Sequence, residues 1–381
     1  MAPEELAHER PEFRFGEGRI SGVVSVALGA LCVLAVLCFR YPELLTTPDL
    51  RAALPLDAVR IVLFAANALA LGFGALCFAL GGSRRLAFAG IALSAAAIAL
   101  GGSWVETPES VTSRRYVGVD WFVLDLLVLA LIFLPLERAL ALRPEQHVFR
   151  RGWRTDLAYF FVSHLLVQVT VLLTLSPARI LLSGAVPPDF QARVAALPFA
   201  VQVVLAIVLA DLFQYAAHRL MHAVPVLWRF HAIHHSSTCM DWLAGSRLHL
   251  VDIVVTRAIS FLPLFALGIA SGPLTAYLVF VSFQAVLIHA NVRIRFGPLR
   301  WWIASPEFHH WHHSAEAEAI DRNFAVHVPW IDRLFGTAYL PDRWPARYGI
   351  ADDPVPDGWL AQLVWPLRRP PREGRGETRT G

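Results

Sequence analysis

Twelve of the chain's fifteen histidines lie between Ala217 and Val328, and eight of them form three short clusters. The first is His218 and His222, the second His231, His234 and His235, and the third His309, His312 and His313. A neutral imidazole offers a lone pair with no charge to desolvate, so histidine is the commonest metal ligand near neutral pH. On a helix, residues three and four apart share a face, and each cluster can aim two or three imidazoles at one point. His310 sits within the third cluster but points off its common face. Eight imidazoles exceed the needs of one ion, and imidazoles buried this densely without compensation would be costly. The clusters therefore predict two metals held side by side.

Nitrogen ligation suits iron, zinc, copper or nickel. The helical metalloprotease pattern fails at once, because no Glu follows the first histidine of any i, i+4 pair. Carboxylate-bridged bundles use Glu and Glu-x-x-His, whereas acids are sparse here: Asp211, Asp241, Asp252, Glu307 and Asp321. An all-imidazole pair of irons is the economical reading. The four cysteines, Cys32, Cys38, Cys77 and Cys239, form no CxxC pair, which excludes a thiolate site or disulfide framework. Gly72-Phe-Gly74 lies inside an apolar stretch, so no flavin or nicotinamide fingerprint is present. A transporter that passes zinc or copper along the clusters is the alternative, and it predicts polar residues stepping through the bilayer. A bis-histidine haem needs only single histidines on facing spans.

The elements that must carry these clusters are apolar. Of 381 residues 56% are hydrophobic and 17% charged, against about 25% charged in a soluble domain. Crossing a bilayer takes about 20 apolar residues. Ile20–Phe39, Ile61–Leu80, Leu86–Leu100, Trp121–Leu136, Leu157–Leu175 and Leu197–Ala217 fit that need, and Ala258–Ala270 with Pro273–His289 predict a hairpin broken at Ser271-Gly272-Pro273. The fold expected is all-α: a multi-span integral membrane protein with a cytoplasmic, helical, histidine-rich two-metal site. Residues 1–145 read as a four-span region, 146–345 as the catalytic domain and 346–381 as a basic Pro/Gly-rich tail, disordered from Arg368 onward. His8 and His147 read as surface residues and His164 as a packing residue. The first span reads as a retained anchor without a cleavage site. Arg84, Arg85, Arg138, Arg143, Arg150, Arg151 and Arg154 then place the clusters on the cytoplasmic side by the positive-inside tendency. Every basic residue is Arg, which points to a GC-rich genome and a bacterial inner membrane. The net charge of +3 is spread along membrane flanks and gives no case for nucleic acid.

At these residues the chain resembles the fatty acid hydroxylase/sterol desaturase superfamily of membrane non-haem di-iron enzymes. His218/His222, His231/His234/His235 and His309/His312/His313 follow that family's HxxxH, HxxHH and HxxHH order. Flanks also match: Asp211 and Tyr215, Leu227-Trp228, Arg247-Leu-His249, His289-Ala-Asn291, Gly297-Pro298-Leu299, Asp321-Arg-Asn323-Phe324, and the segment from Trp330 to Thr337. The similarity covers about Arg151–Leu340. It departs at Ala325, where the family has Gly, and at Leu250, where it has Pro. The resemblance implies iron ligation by the eight cluster histidines together with His249 and His289, and Asn291 or a water on it completing a ligand sphere. It makes Asp211 and Asp252 acceptors for the far ring nitrogens, and His310 and His327 supporting residues at most. It also implies O2-dependent hydroxylation or desaturation of a lipid C–H bond, with electrons from an external ferredoxin or cytochrome-type donor at the Arg-rich face.

Overall fold

The computed structural model describes residues 18–48, 51, 55–107, 118–165, 180, 182, 185–350 and 355–368. The expected span Leu157–Leu175 is thus described only to Leu165. The side chain of His164, His8 and the tail beyond Arg368 lie outside the described residues. Within those residues the secondary structure is helical, and the extended pairing amounts to two isolated bridges, Ala141 with Val292 and Ser314 with Tyr348. Six helices among the described residues are long and apolar enough to cross a membrane. The chain divides into two units, Met1–Ala130 with His164–Gln168, and Leu131–Ser163 with Val169–Gly381.

In the first unit α1 (Arg19–Arg40), α2 (Leu56–Ala79) and α3 (Arg84–Ala99) pack on one another. Small residues let the backbones approach, as in helix pairs within membranes. A Cβ on Gly90 would collide with Ser25 Oγ, and that hydroxyl donates to Ala70 O at 2.7 Å. Cys32, Val36, Leu63, Ala97 and Val105 form the apolar core there. α4 (Val119–Ala139) divides at Ala130 between the units.

The second unit holds all three histidine clusters. α5 (Trp153–Leu165) and α6 (Pro188–Ala195) precede α7 (Phe199–Ala223), which packs on α9 (Leu250–Leu267) and α10 (Ser271–Leu287). Ala206 and Ala210, one turn apart, seat Leu264 and Tyr277. α8 (Pro225–His235) begins with Pro at its first turn, where a missing N–H costs nothing. The α9–α10 hairpin differs from expectation. α9 starts eight residues before Ala258, because His249 caps it by accepting from Val251 N. It ends at Gly268, which has φ 67°. Ser271, Gly272 and Pro273 are the first turn of α10 rather than the break, since Pro is tolerated there. Leu250 occupies the first helical position, a site Pro also favours. That explains how the family Pro and this Leu serve one geometry.

A buried ion network ties the second cluster to α5. Arg150 donates to Asp241 through Nε at 2.7 Å and Nη2 at 2.6 Å, and to Asp156 at 2.7 Å. Arg247 Nε reaches Asp156 Oδ1 at 2.5 Å, and its Nη1 reaches Ser236 Oγ, just past His235, at 3.3 Å. Asp156 is fully buried. Removing one partner of such a network leaves an uncompensated charge and costs about 3–5 kcal/mol. Asp156→Ala is expected to lower stability by that amount in detergent. A thermal midpoint equal to wild type would rule out this role.

Candidate metal centre

Helix geometry sorts the imidazoles into two adjacent groups. The ligand nitrogens of His218, His222, His231, His235 and His312 lie within 4.8 Å of one another, as do those of His234, His289, His309 and His313. Each i, i+4 pair shares a group: His218 with His222, His231 with His235, and His309 with His313. The i+3 members, His234 and His312, sit one face round and go to the opposite group from their cluster partners. The groups abut, with His235 and His313 stacked at a centroid distance of 4.6 Å. α11 (Pro306–His312), which carries most of the third cluster, is started by Ser305, whose side chain accepts from Phe308 N at 3.3 Å.

The far ring nitrogens settle which way the lone pairs point. His218 Nδ1 meets Phe324 O at 2.7 Å, His312 Nδ1 meets Arg322 O at 2.8 Å, and His234 Nδ1 meets Arg247 O at 3.2 Å. His289 Nδ1 meets Ala285 O at 2.7 Å, His231 Nδ1 meets Asp252 Oδ2 at 2.7 Å, and His222 Nδ1 meets Asp321 Oδ1 at 3.0 Å. Carbonyls and carboxylates only accept, so these six rings carry their proton on Nδ1 and present Nε2 as a bare lone pair. Yet His218 Nε2 and His231 Nε2 are 3.0 Å apart, and His289 Nε2 and His234 Nε2 are 3.4 Å apart. Two lone pairs at that distance repel unless a cation lies between them. His222 Nε2 and His312 Nε2 are buried with no hydrogen-bond partner. The donor set fits metal ions. Protonation is no substitute, because burial first, and neighbouring imidazoles second, hold His231, His235, His309, His312 and His313 well below the usual histidine range. Burial alone pulls His289 down to about 4.

Nine of the ten expected ligands are brought together, and His249 is not. Its Nδ1 accepts from Val251 N and its Nε2 donates to Leu363 O, each at 3.1 Å. Both nitrogens are spent on capping α9 and fastening the C-terminal segment. Asp252 does take the far nitrogen of an expected ligand, His231, but Asp211 takes none. Its carboxylate accepts from the backbone N–H of Val326, His327 and Val328 at 2.9, 3.1 and 2.6 Å. Asn291 faces Arg143, accepting from its N at 2.9 Å and donating to its O at 3.1 Å, so its amide pins a loop. His310 bridges Tyr348 Oη and Ala290 O, and His327 Nδ1 pairs with Gln284 Oε1. Both are buried supports. His147 is exposed.

Several contributors escaped sequence reasoning. Asp332 accepts from Phe324 N at 2.8 Å and Ala325 N at 2.7 Å, which holds the carbonyl that orients His218. Asn323, at φ 58°, donates to Phe308 O and Tyr339 O. Glu137 near the end of α4 accepts from Trp242 N and Asn291 N. Gly245 is required by packing, since a Cβ there would stand 2.8 Å from His289 Nδ1. The carbonyl acceptors leave no signal in sequence, because every residue has one. The Asp-Arg-Asn-Phe segment was the available pointer to Asn323.

Residues 203–337 match the fatty acid hydroxylase family model. Over this segment the chain is similar to lipid hydroxylases and monooxygenases, in line with the resemblance its motifs carry. It is 37% identical over 180 residues to an ornithine lipid hydroxylase of Rhizobium tropici, covering 46% of this chain and 53% of that protein. It is 33% identical over 141 residues to the human alkylglycerol monooxygenase, covering 37% and 31%. A fatty acid hydroxylase of Lecanicillium is 31% identical over 149 residues, covering 34% and 40%. The chain thus spans about half the length of the first of these relatives and less of the others. No solved structure matches it.

Two outcomes are expected. Asp252→Asn is expected to weaken retention of one metal about 10–100-fold, as loss of an oriented partner typically does, while His249→Ala keeps the wild-type metal content; elemental analysis after chelator challenge distinguishes them. The second concerns acid. The unfolded chain takes up protons near pH 6.5, whereas the folded site resists until about 4 at His289. Between those values the unfolded state binds more protons, so stability rises with pH and is lost as pH falls from 6.5 toward 4. Unchanged melting across that window would contradict the neutral-imidazole assignment.

Proposed function

We propose that the chain is a membrane-embedded, O2-dependent lipid hydroxylase with two irons. One is held by His218, His222, His231, His235 and His312, and the other by His234, His289, His309 and His313. The observation that carries the reading is the convergence of fixed-tautomer, buried lone pairs on two adjoining points. When bound, the irons would supply dioxygen activation and removal of hydrogen from an unactivated C–H bond.

The chain's own residues prepare that chemistry. Asp252 and the carbonyls of Phe324, Arg322, Arg247 and Ala285 fix ring angle and tautomer. Phe324 and Trp228 lie against His222 with centroid distances of 5.1 and 4.9 Å, and so keep water from the first group. Burial of every histidine in the second group does the same there. The relatives' names, lipid hydroxylase and monooxygenase, support hydroxylation over the transporter reading. The proposal includes a lipid substrate, an external ferredoxin or cytochrome-type electron donor, and a cytoplasmic site in a bacterial inner membrane. Arginine distribution supports that orientation.

Lipid profiling of a host expressing wild type or His234→Ala under isotopically heavy dioxygen tests the reading. One lipid class gaining a single labelled oxygen, only with wild type, is the expected result. A product two hydrogens lighter with no label would replace hydroxylation by desaturation. An unchanged profile with iron-loaded protein and a competent reductant would overturn the oxygenase assignment.

A further inference from the structure

On a face of α7 beside the one that carries His218 and His222 lies an open groove of about 480 Å³, within the size range of small-molecule sites. Leu212, Phe213, Leu220 and Phe335 give it an almost wholly apolar lining, and Arg219 supplies its one cation. Phe213, Leu220 and Phe335 are exposed. Phe335 stacks on Tyr215 with centroids 4.9 Å apart. Tyr215 meets Phe324 edge-on at 5.8 Å, and Phe324 lies 5.1 Å from His222 and 5.7 Å from His218. One aromatic layer therefore separates the groove from the first histidine group.

The groove runs lengthwise on a helix that is itself long and apolar enough to span a membrane, so acyl chains are its surroundings. Arg219 is one turn from the helix end at Ala223, while Leu212 is about 10 Å deeper at about 1.5 Å per residue. A lone arginine near a span end ordinarily snorkels toward headgroups. Arg219 instead folds back one turn, where its Nη1 donates to Tyr215 Oη at 3.3 Å. Its guanidinium thus stays over the groove, and no carboxylate pairs with it among the described residues. A cation held over an otherwise apolar trough matches one anionic lipid, its headgroup at the guanidinium and an acyl chain against the apolar wall.

We infer that this groove is a lipid-binding site for a net-anionic lipid, with an acyl chain along Leu212 and Phe213 and the headgroup's phosphate or carboxylate on Arg219. Guanidinium forms paired hydrogen bonds with either oxyanion. The site goes beyond the hydroxylase reading, since lipid retention needs neither metal nor oxygen, and its failure would leave that reading untouched.

The experiment is native mass spectrometry of purified protein titrated with dioleoylphosphatidylglycerol or dioleoylphosphatidylcholine. Wild type is expected to retain the anionic lipid about tenfold more tightly. Arg219→Gln is expected to erase that preference, and Arg219→Lys to keep most of it. Ala216→Trp, which fills the groove at an exposed position, should lower retention of both lipids. Each variant is compared at wild-type iron content and helicity, which separates lost binding from misfolding. Equal retention of the two lipids by wild type would overturn the inference, as would an undiminished preference in Arg219→Gln. Inorganic phosphate that competes as well as the anionic lipid would also overturn it, by reducing the site to a free-anion site.

Discussion

The second unit is organised around a single electrostatic demand: buried imidazoles whose lone pairs face one another. Neutral rings protonated on Nδ1 with Nε2 atoms 3.0 to 3.4 Å apart are unstable company unless cations join them. The unit meets that demand by spending carbonyls and carboxylates on the far nitrogens. Nearly every unusual feature of the second unit serves to hold those acceptors still. Asp211 and Asp332 grip the backbone from Phe324 to Val328, and Phe324 O in turn aims His218. The Arg150–Asp156–Arg247–Asp241 network fixes the segment whose Arg247 carbonyl aims His234.

The same demand explains why the centre sits where helices end. Within a span, backbone carbonyls are consumed by the helix's own ladder. At the end of α10 and in the segments before α9 and after α11, carbonyls are free to accept from imidazoles. The apolar spans bring these ends together without supplying polar groups of their own. That division of labour leaves one side of α7 apolar apart from Arg219 and Tyr215, and sets His218 and His222 on another.

Much of this was legible in residue spacing. The i, i+3, i+4 clusters sufficed to predict helical faces and enough imidazoles for two sites, which the two histidine groups match, and the apolar blocks located most of the spans. The cross-assignment of His234 and His312 follows from the same 3.6-residue period once two centres are assumed. What stayed hidden has physical reasons. His249 lies in a motif that fits a ligand, but capping a helix uses the same lone pair a metal would. Asp211 looked like a partner for imidazole, yet a carboxylate facing three consecutive N–H groups is satisfied by backbone alone. The start of α9 was misplaced because Leu250–Arg257 carries Asp252 and Arg257, and the burial of Asp252 depends on its tertiary partner His231 and not on local hydropathy.

The central claim is that two ions bridge these lone pairs, and it is tested by counting them. Elemental analysis and Mössbauer spectroscopy on detergent-purified wild type, expressed with isotopic iron, should find two irons per chain in nitrogen-rich, high-spin sites. A single zinc per chain, or a haem absorption band in place of those sites, would contradict it.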